Sequence, residues 1–374
     1  VFFNTNCGTA ELLGNIAYRK IFDLAVVGAG PAGSLTAALA ADAGLSTVIL
    51  EKERMPRAKP CGGFISARAL SLLPDDFKLP PEICAPVYQF SVNTQGKKYE
   101  YHSENRLGII IKREYFDHLL ARYACRKGSL LIEGRPVTSL EEIKDSWQRG
   151  SSYRINLGYE EDSTISAHYV IGADGAAGNT VLLSGLRKDR FRFCGLGLVT
   201  SESSNKPKTE PGNLDFYTFP LLGGMGWSFS GPGLINRGIG GIARYKTLKQ
   251  AYNRLFPPDK DQPCPVSWPL PFLGPLKKVG KDNLLLVGDA AGLVDPFSGE
   301  GLYNSFKSAI IAVQATLEAK KTKEPAGVLY NRLFNLQFKK NFYISMAGAF
   351  HLHAGAVLRP ASLPEKIASI MGNR

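Results

Sequence analysis

Residues 22–51 constrain the fold more than any other stretch of the chain. The run 22–28 (FDLAVVG) is short, apolar and ends in glycine, which predicts a buried parallel strand. Residues 31–43 (PAGSLTAALAADA) are rich in Ala and Leu and open with Pro, whose missing N–H costs nothing in a first helical turn. Residues 45–51 (LSTVILE) predict a second strand that ends in an acid. Strand, helix and strand at this spacing form a βαβ unit, which commits the region to a parallel α/β sheet.

Between the first strand and the helix stands Gly28-Ala29-Gly30-Pro31-Ala32-Gly33, a GxGxxG pattern. Gly28 permits a tight turn, and Gly30 lets the backbone approach a pyrophosphate. Gly33 allows the helix to pack closely on the strand, so that its first amides face the phosphates. Glu51, with Lys52 beside it, stands where an acid accepts hydrogen bonds from a ribose diol. Strand, turn, helix, strand and acid agree on a dinucleotide site, without separating NAD from FAD. A second formal match, Gly238-Ile239-Gly240-Gly241-Ile242-Ala243, has no βαβ unit around it and no acid at the required spacing. It reads as a glycine-rich sheet strand.

The rest of the chain alternates between this pattern and another. Residues 52–66 form a loop of Pro, Gly and cations, and alternating segments between 87 and 111 predict antiparallel strands. A helix is expected over 114–127 and a buried strand ending in glycine over 168–175. Residues 191–245 are rich in Gly and aromatics and suit a second sheet, and the Pro density from 257 to 275 marks a connector. The parallel-strand pattern returns at 283–288, followed by a helix over 301–319. These shifts predict a discontinuous nucleotide-binding domain (20–82, 107–190 and 276–324) interrupted by a β-rich substrate domain (83–106 and 191–275). A C-terminal helical segment (325–374) and an N-terminal extension (1–19) complete the division.

At 374 residues, two interlocked domains are the natural expectation. The net charge of +12 favours phosphates, acidic substrates or anionic lipid headgroups. The basic residues are scattered and no interleaved aromatic signature accompanies them, which argues against nucleic acid as a partner. Six cysteines (Cys7, Cys61, Cys84, Cys125, Cys194 and Cys264) form no CxxC pair, which points to a reducing, cytoplasmic compartment and to no metal site. His351 and His353 are two apart without acidic partners, so they add no metal site. They lie in an uncharged segment, 341–358, flanked by Lys339, Lys340 and Arg359; it reads as a buried or interfacial helix suited to peripheral membrane contact.

Three further segments resemble a known group. Val170-Ile171-Gly172-Ala173-Asp174-Gly175 resembles the DG motif of flavoproteins related to aromatic hydroxylases. Gly288-Asp289-Ala290-Ala291-Gly292, followed by Pro296 and Gly299-Glu300-Gly301, resembles the second FAD fingerprint of that group. Arg113, ahead of Phe116 and Asp117, matches a position the group uses against the FAD phosphates and adenosine. Within the group, Lys59-Pro60-Cys61-Gly62-Gly63 is similar to the PxCGGG signature of geranylgeranyl reductases. Gly226-Trp227-Ser228-Phe229, then Asn236 to Gly241, is similar to their YxWxFP run and its glycine tail. The resemblance covers nearly the whole chain from about residue 20. It departs at Phe64, which replaces a third Gly, at Met225, which replaces Tyr, and at Ser230, which replaces Pro.

The resemblance implies a Rossmann-like α/β fold that binds FAD and reduces C=C bonds of a prenyl chain, with NAD(P)H or ferredoxin as electron donor. Such an alkene is unactivated, so the site must hold it against the flavin and exclude water. Phe64, Phe216, Tyr217, Phe219, Met225, Trp227 and Phe229 are the candidates for an apolar wall. Cys61, with Gly62 and Gly63, is the catalytic candidate, either donating the proton or shuttling electrons; a small buried residue is the plain alternative. Lys59, Arg57 and Arg54 are candidates for a diphosphate or phospholipid head, against solvated loop cations. Two other readings stay open at this point: a flavin monooxygenase of the same fold acting on an apolar or aromatic substrate, and an FAD-binding protein without reductase activity.

Overall fold

Ile21–Val27 forms the central strand β1, in which Leu24, Ala25 and Val26 have no exposed surface, as expected of a strand buried on both faces. The structure, a computed structural model, describes residues 20–145, 150–158, 163–188, 195–203, 211–219, 224–259, 263–271, 278–296, 298–339, 342–347 and 363–371. The expected N-terminal extension, His351 and His353 lie outside the described residues. After β1 come α1 (Pro31–Asp42) and β2 (Thr47–Leu50), which complete the βαβ unit. β3 (Phe64–Ser66) runs into the single-turn helix α2 (Ala67–Leu70). Four short strands follow: β4 (Cys84–Val87), β5 (Gln89–Thr94), β6 (Lys97–His102) and β7 (Gly108–Ile111). Helix α3 (Arg113–Arg126) leads to β8 (Leu130–Ile132), the hairpin β9 (Val137–Asp145) and β10 (Gly150–Leu157), β11 (Thr164–Gly172) and the short α4 (Thr180–Leu183).

The second half opens with β12 (Gly195–Ser203), β13 (Asn213–Thr218), β14 (Met225–Gly231) and β15 (Leu234–Gly241). Helix α5 (Tyr245–Leu255), β16 (Val266–Leu270), β17 (Gly280–Lys281) and β18 (Leu284–Leu286) follow. The long α6 (Leu302–Thr322), α7 (Ala326–Phe334) and α8 (Leu363–Met371) end the described chain.

The first sheet runs β17-β18-β11-β1-β2-β8, with every pair from β18 to β8 parallel. Its chain order reverses at β1: β2 lies on one side and β11 on the other, so a crevice opens at the carboxyl ends of these strands. Helices α3 and α6 pack on α1, which seats the first turn of α1 and the opening of α6 near that crevice. The second sheet runs β16-β12-β15-β14-β13-β5-β6, and β5 joins it through a parallel pairing with β13. Helix α5 covers one face of it through Leu248 and Tyr252, which pack with Leu198, Ile239 and Phe256. The second Gly-x-Gly run lies in β15, where Gly238 leaves room for the indole of its cross-strand partner Trp227. A small third sheet, β3-β7-β4, stands between the two.

Candidate active site

The close approach of β1 and β11 dictates the turn chemistry at their ends. Gly28 has φ +104°, a region that L side chains rarely adopt, and a Cβ there would stand 2.7 Å from the Ala173 carbonyl oxygen. A Cβ on Gly33 would overlap the Gly28 carbonyl oxygen, so helix α1 rests directly on the turn. Gly30 differs: a Cβ there would meet nothing nearer than the Arg57 guanidinium at 3.6 Å. Gly30 is the N-cap of α1 and supplies no side-chain cap, so the first-turn amides, which lack intrahelical acceptors, face open space.

That space is one end of a cavity of about 480 Å³. Its walls at this end are charged. Arg113 grips Asp117 in a bidentate pair, Nε to Oδ1 at 2.8 Å and Nη2 to Oδ2 at 3.1 Å. Arg57 bridges Asp117 and Glu51, 3.5 Å from each. Glu51 also accepts the Ala29 amide at 2.7 Å, which ties the end of β2 to the glycine turn. Burial works against the charge on Arg113, but Asp117 outweighs it, and the guanidinium is held above its ordinary range. The Lys59 ammonium stands 3.7 Å from the centroid of the Trp268 ring. Burial pulls its pKa down to about 8, with Asp289 opposing the shift. Asp174 accepts the Thr180 amide and hydroxyl on Oδ2, both at 2.8 Å, while its buried Oδ1 has no partner among the described residues. Burial raises this carboxyl above the usual range against those two hydrogen bonds. Glu300 accepts the Ser66 hydroxyl and pairs with Arg68 at 2.9 Å, joining the end of β3 to the opening of α6; burial pushes its pKa up.

The segment Cys61–Phe64 divides the charged end from the apolar one and is clamped from two sides. Gly63 has φ +82° and accepts the Ile111 amide of β7 at 3.0 Å. From the second sheet, Asn236 donates to the Gly62 carbonyl at 2.9 Å and accepts the Ser201 hydroxyl at 2.6 Å. A Cβ on Gly62 would come within 2.8 Å of the Phe229 ring, so the backbone lies against the apolar wall. The Cys61 thiol receives the Gly63 amide at 3.5 Å and stands near the Arg113 guanidinium. Asn236, only 3% exposed, is the hinge of this arrangement. Asn236→Asp removes the donor and leaves the Gly62 carbonyl facing an acceptor, at a cost of about 1–3 kcal/mol. The expected result is a lower melting temperature and a lower kcat at unchanged flavin content; wild-type kcat would show that the loop is held elsewhere.

Most residues singled out from the sequence meet in this one cavity. Gly28, Gly30, Pro31, Ala32, Glu51, Lys52, Arg113, Asp174, Asp289, Pro296, Gly299, Glu300 and Gly301 line it, with Cys61, Gly62, Gly63, Phe64, Phe216, Met225, Trp227 and Phe229. Ala29, Gly33 and Gly288 stand behind the wall; Gly288 is a packing glycine whose Cβ would press on Ser305 and Ala32. Tyr217 and Phe219, expected in the apolar wall, are not among the residues that line the cavity. Strand alternation points Phe216 and Thr218 inwards, while Tyr217 packs edge-on against Phe256 on the α5 side, centroids 5.6 Å apart. Of the three loop cations, Arg57 and Lys59 line the cavity and Arg54 does not. Val92, Trp268, Ile367 and Met371 also line it. Nothing local in the sequence singles them out, because only strand pairing and the packing of α8 bring them there.

Residues 22–195 match the family model described as an FAD binding domain. The digeranylgeranylglycerophospholipid reductase 1 of Methanopyrus kandleri is 33% identical over 328 residues, which cover 80% of this chain and 81% of that protein. This chain belongs to the geranylgeranyl reductase family. The digeranylgeranylglycerophospholipid reductase of Methanocaldococcus jannaschii, another relative, is 27% identical, covering 82% of this chain and 79% of that protein. Among solved structures, a geranylgeranyl bacteriochlorophyll reductase-like protein from Thermoplasma acidophilum superposes with a TM-score of 0.76 at 25% identity, over 95% of this chain and 92% of that one. A halogenase PltM variant in complex with FAD shares the fold alone, with a TM-score of 0.65 at 15% identity over 83% of this chain and 72% of that one.

As a member of the geranylgeranyl reductase family, the chain is an FAD-dependent oxidoreductase with the α/β fold of its relatives. The cavity suits FAD on its own chemistry. The open space over Gly30 is a cradle that a side chain would fill, Arg57 and Arg113 offer positive charge, and the orphaned Asp174 oxygen awaits a donor. No helix among the described residues is long and apolar enough to cross a membrane.

Proposed function

We propose that the protein reduces C=C bonds of a prenyl chain, geranylgeranyl in type, held in the apolar part of this cavity. The observation that carries the reading is continuity. One cavity joins the open glycine turn of a dinucleotide site to a wall of Phe64, Val92, Phe216, Met225, Trp227 and Phe229, with the Cys61 loop between them. Reduced FAD supplies a hydride to such a bond, and the protein must deliver the accompanying proton.

The chain's own residues divide the remaining work. First-turn amides of α1, with Arg57 and Arg113, would hold the FAD phosphates, and Glu51 would accept from the ribose diol. Asp174 and Asp289 would accept from cofactor hydroxyls, and the first amides of α6, after Gly301, would favour negative charge on a bound cofactor. Phe216 and Phe229, edge to face at 5.3 Å between centroids, hold the chain and exclude water. Cys61 holds the proton at Sγ, beside the Arg113 guanidinium. Peripheral contact with a lipid surface is supported by the exposed Leu336, Tyr343 and Ile344 and by the net charge of +12.

The test is anaerobic incubation of dithionite-reduced protein with a panel of prenyl diphosphates and prenylated glycerophospholipids. The expected outcome is reoxidation of the flavin together with a product that has gained two hydrogens by mass spectrometry. Failure with every member, alongside O₂-dependent hydroxylation of an apolar substrate, would overturn the reading in favour of a monooxygenase.

A further inference from the structure

The apolar end of the cavity is not closed by the second sheet alone. Helix α8 packs across β5 and β6 and places Ile367 and Met371, four residues apart and so on one face, into the cavity lining. Met371 is 6% exposed and shares a cluster with Val92, Phe216 and Phe229; Ala368, 1% exposed, lets the helix lie close. The opposite side of the helix is in water, where Glu365 and Ser369 are exposed. The helix is therefore a thin wall, with solvent outside and the hydrocarbon-lined space inside.

The polarity of the cavity orients whatever occupies it. Arg57, Lys59, Arg113, Asp117 and Asp289 all stand at the end built on β1 and α3 or at the opening of α6. Among its described lining residues the α8 end offers no charged side chain: rings, methyls and methylenes dominate, with the Met225 and Met371 thioethers, the Thr218 hydroxyl and the Trp227 indole as its polar atoms. A charged head group finds no counter-ion there among the described residues, and leaving one unpaired against Met371 carries the cost of a buried charge. The hydrocarbon part of a substrate is the part suited to rest against the helix.

We propose that α8 is the end wall of the substrate channel and that Met371, with Ile367, sets the length of apolar chain the site accepts. The inference rests on the prenyl-reduction reading and adds to it a specificity-determining surface. Met371 is suited to the task because its unbranched side chain fills space without fixing one shape. A bulkier residue shortens the channel, and a smaller one lengthens it. Discrimination by one missing or extra carbon in an apolar pocket is about 10–200-fold, so a change of most of a side chain is measurable.

The experiment compares kcat/KM for geranyl, farnesyl and geranylgeranyl diphosphate in the wild type, Met371→Trp and Met371→Ala, each loaded with FAD and supplied anaerobically with excess dithionite as reductant. In Met371→Trp the geranylgeranyl value is expected to fall at least about tenfold relative to the geranyl value. In Met371→Ala the preference is expected to move towards the longest chain. A wild type that reduces none of the three removes the functional reading on which the inference stands. A wild type that reduces them, with Met371→Trp losing all three lengths by the same factor, leaves the function in place and overturns the wall. Where Met371→Trp does not retain flavin, Met371→Ala decides alone, and an unshifted length profile overturns the proposal.

Discussion

Gly30→Val is expected to fold normally and emerge without flavin, whereas Gly33→Val is expected to lose both its fold and its flavin. The two glycines sit three residues apart in one motif, yet they face different things. At Gly30 the added carbon enters open space, with only the Arg57 guanidinium 3.6 Å away, so the protein gains no internal clash. What it loses is the close approach that a pyrophosphate needs to first-turn amides. At Gly33 the added carbon overlaps the Gly28 carbonyl oxygen, a backbone atom in a turn that has no room to yield. Overpacking of this kind costs on the order of 3 kcal/mol or more, a large share of the roughly 5–15 kcal/mol that holds a domain together. Thermal unfolding and the flavin absorbance of the purified variants separate the two effects. Wild-type flavin occupancy in Gly30→Val would move the pyrophosphate away from this turn.

Cys61→Ala is expected to lower kcat by about 10²–10⁴-fold, the usual worth of a positioned proton donor, with little change in KM or flavin content. The separation follows from timing: proton delivery is made in the transition state and adds nothing to substrate binding. Cys61→Ser is expected to recover part of the loss, because its hydroxyl occupies the same place beside Arg113 and the Gly63 amide. Turnover measured with reduced flavin under anaerobic conditions checks both, and an unchanged kcat in Cys61→Ala would take the thiol out of proton delivery.

The cofactor end was the legible part of this molecule, because its determinants are local. Gly28, Gly30 and Gly33 act through the turn that contains them, and Glu51 follows one strand later. The apolar end was less legible for two physical reasons. Residues 216–219 read Phe-Tyr-Thr-Phe, so either phase of the strand presents an aromatic, and only the pairing of β13 with β14 and β5 decides that Phe216 faces inwards. Met371 and Ile367 carry no local signal at all, since their place comes from a helix (Leu363–Met371) packed on strands that begin at Gln89 and Lys97. The ion network lies between these extremes. The i,i+4 spacing of Arg113 and Asp117 is visible in the sequence, but the arrival of Arg57 from a distant loop is not.

The parallel pairing of Asp215 with Ser91, 124 residues earlier, has a consequence for biogenesis. As the nascent chain leaves the ribosome, β5 and β6 emerge long before β13, and one edge of their hairpin has no neighbour to pair with. That edge carries Phe90 and Val92, which are almost wholly covered in the finished protein. Until β13 arrives, these side chains and the open backbone form a sticky surface of the kind that chaperones shield. Translation speed between the two strands therefore bears on yield, and fragments that stop short of residue 213 should be recovered in aggregates.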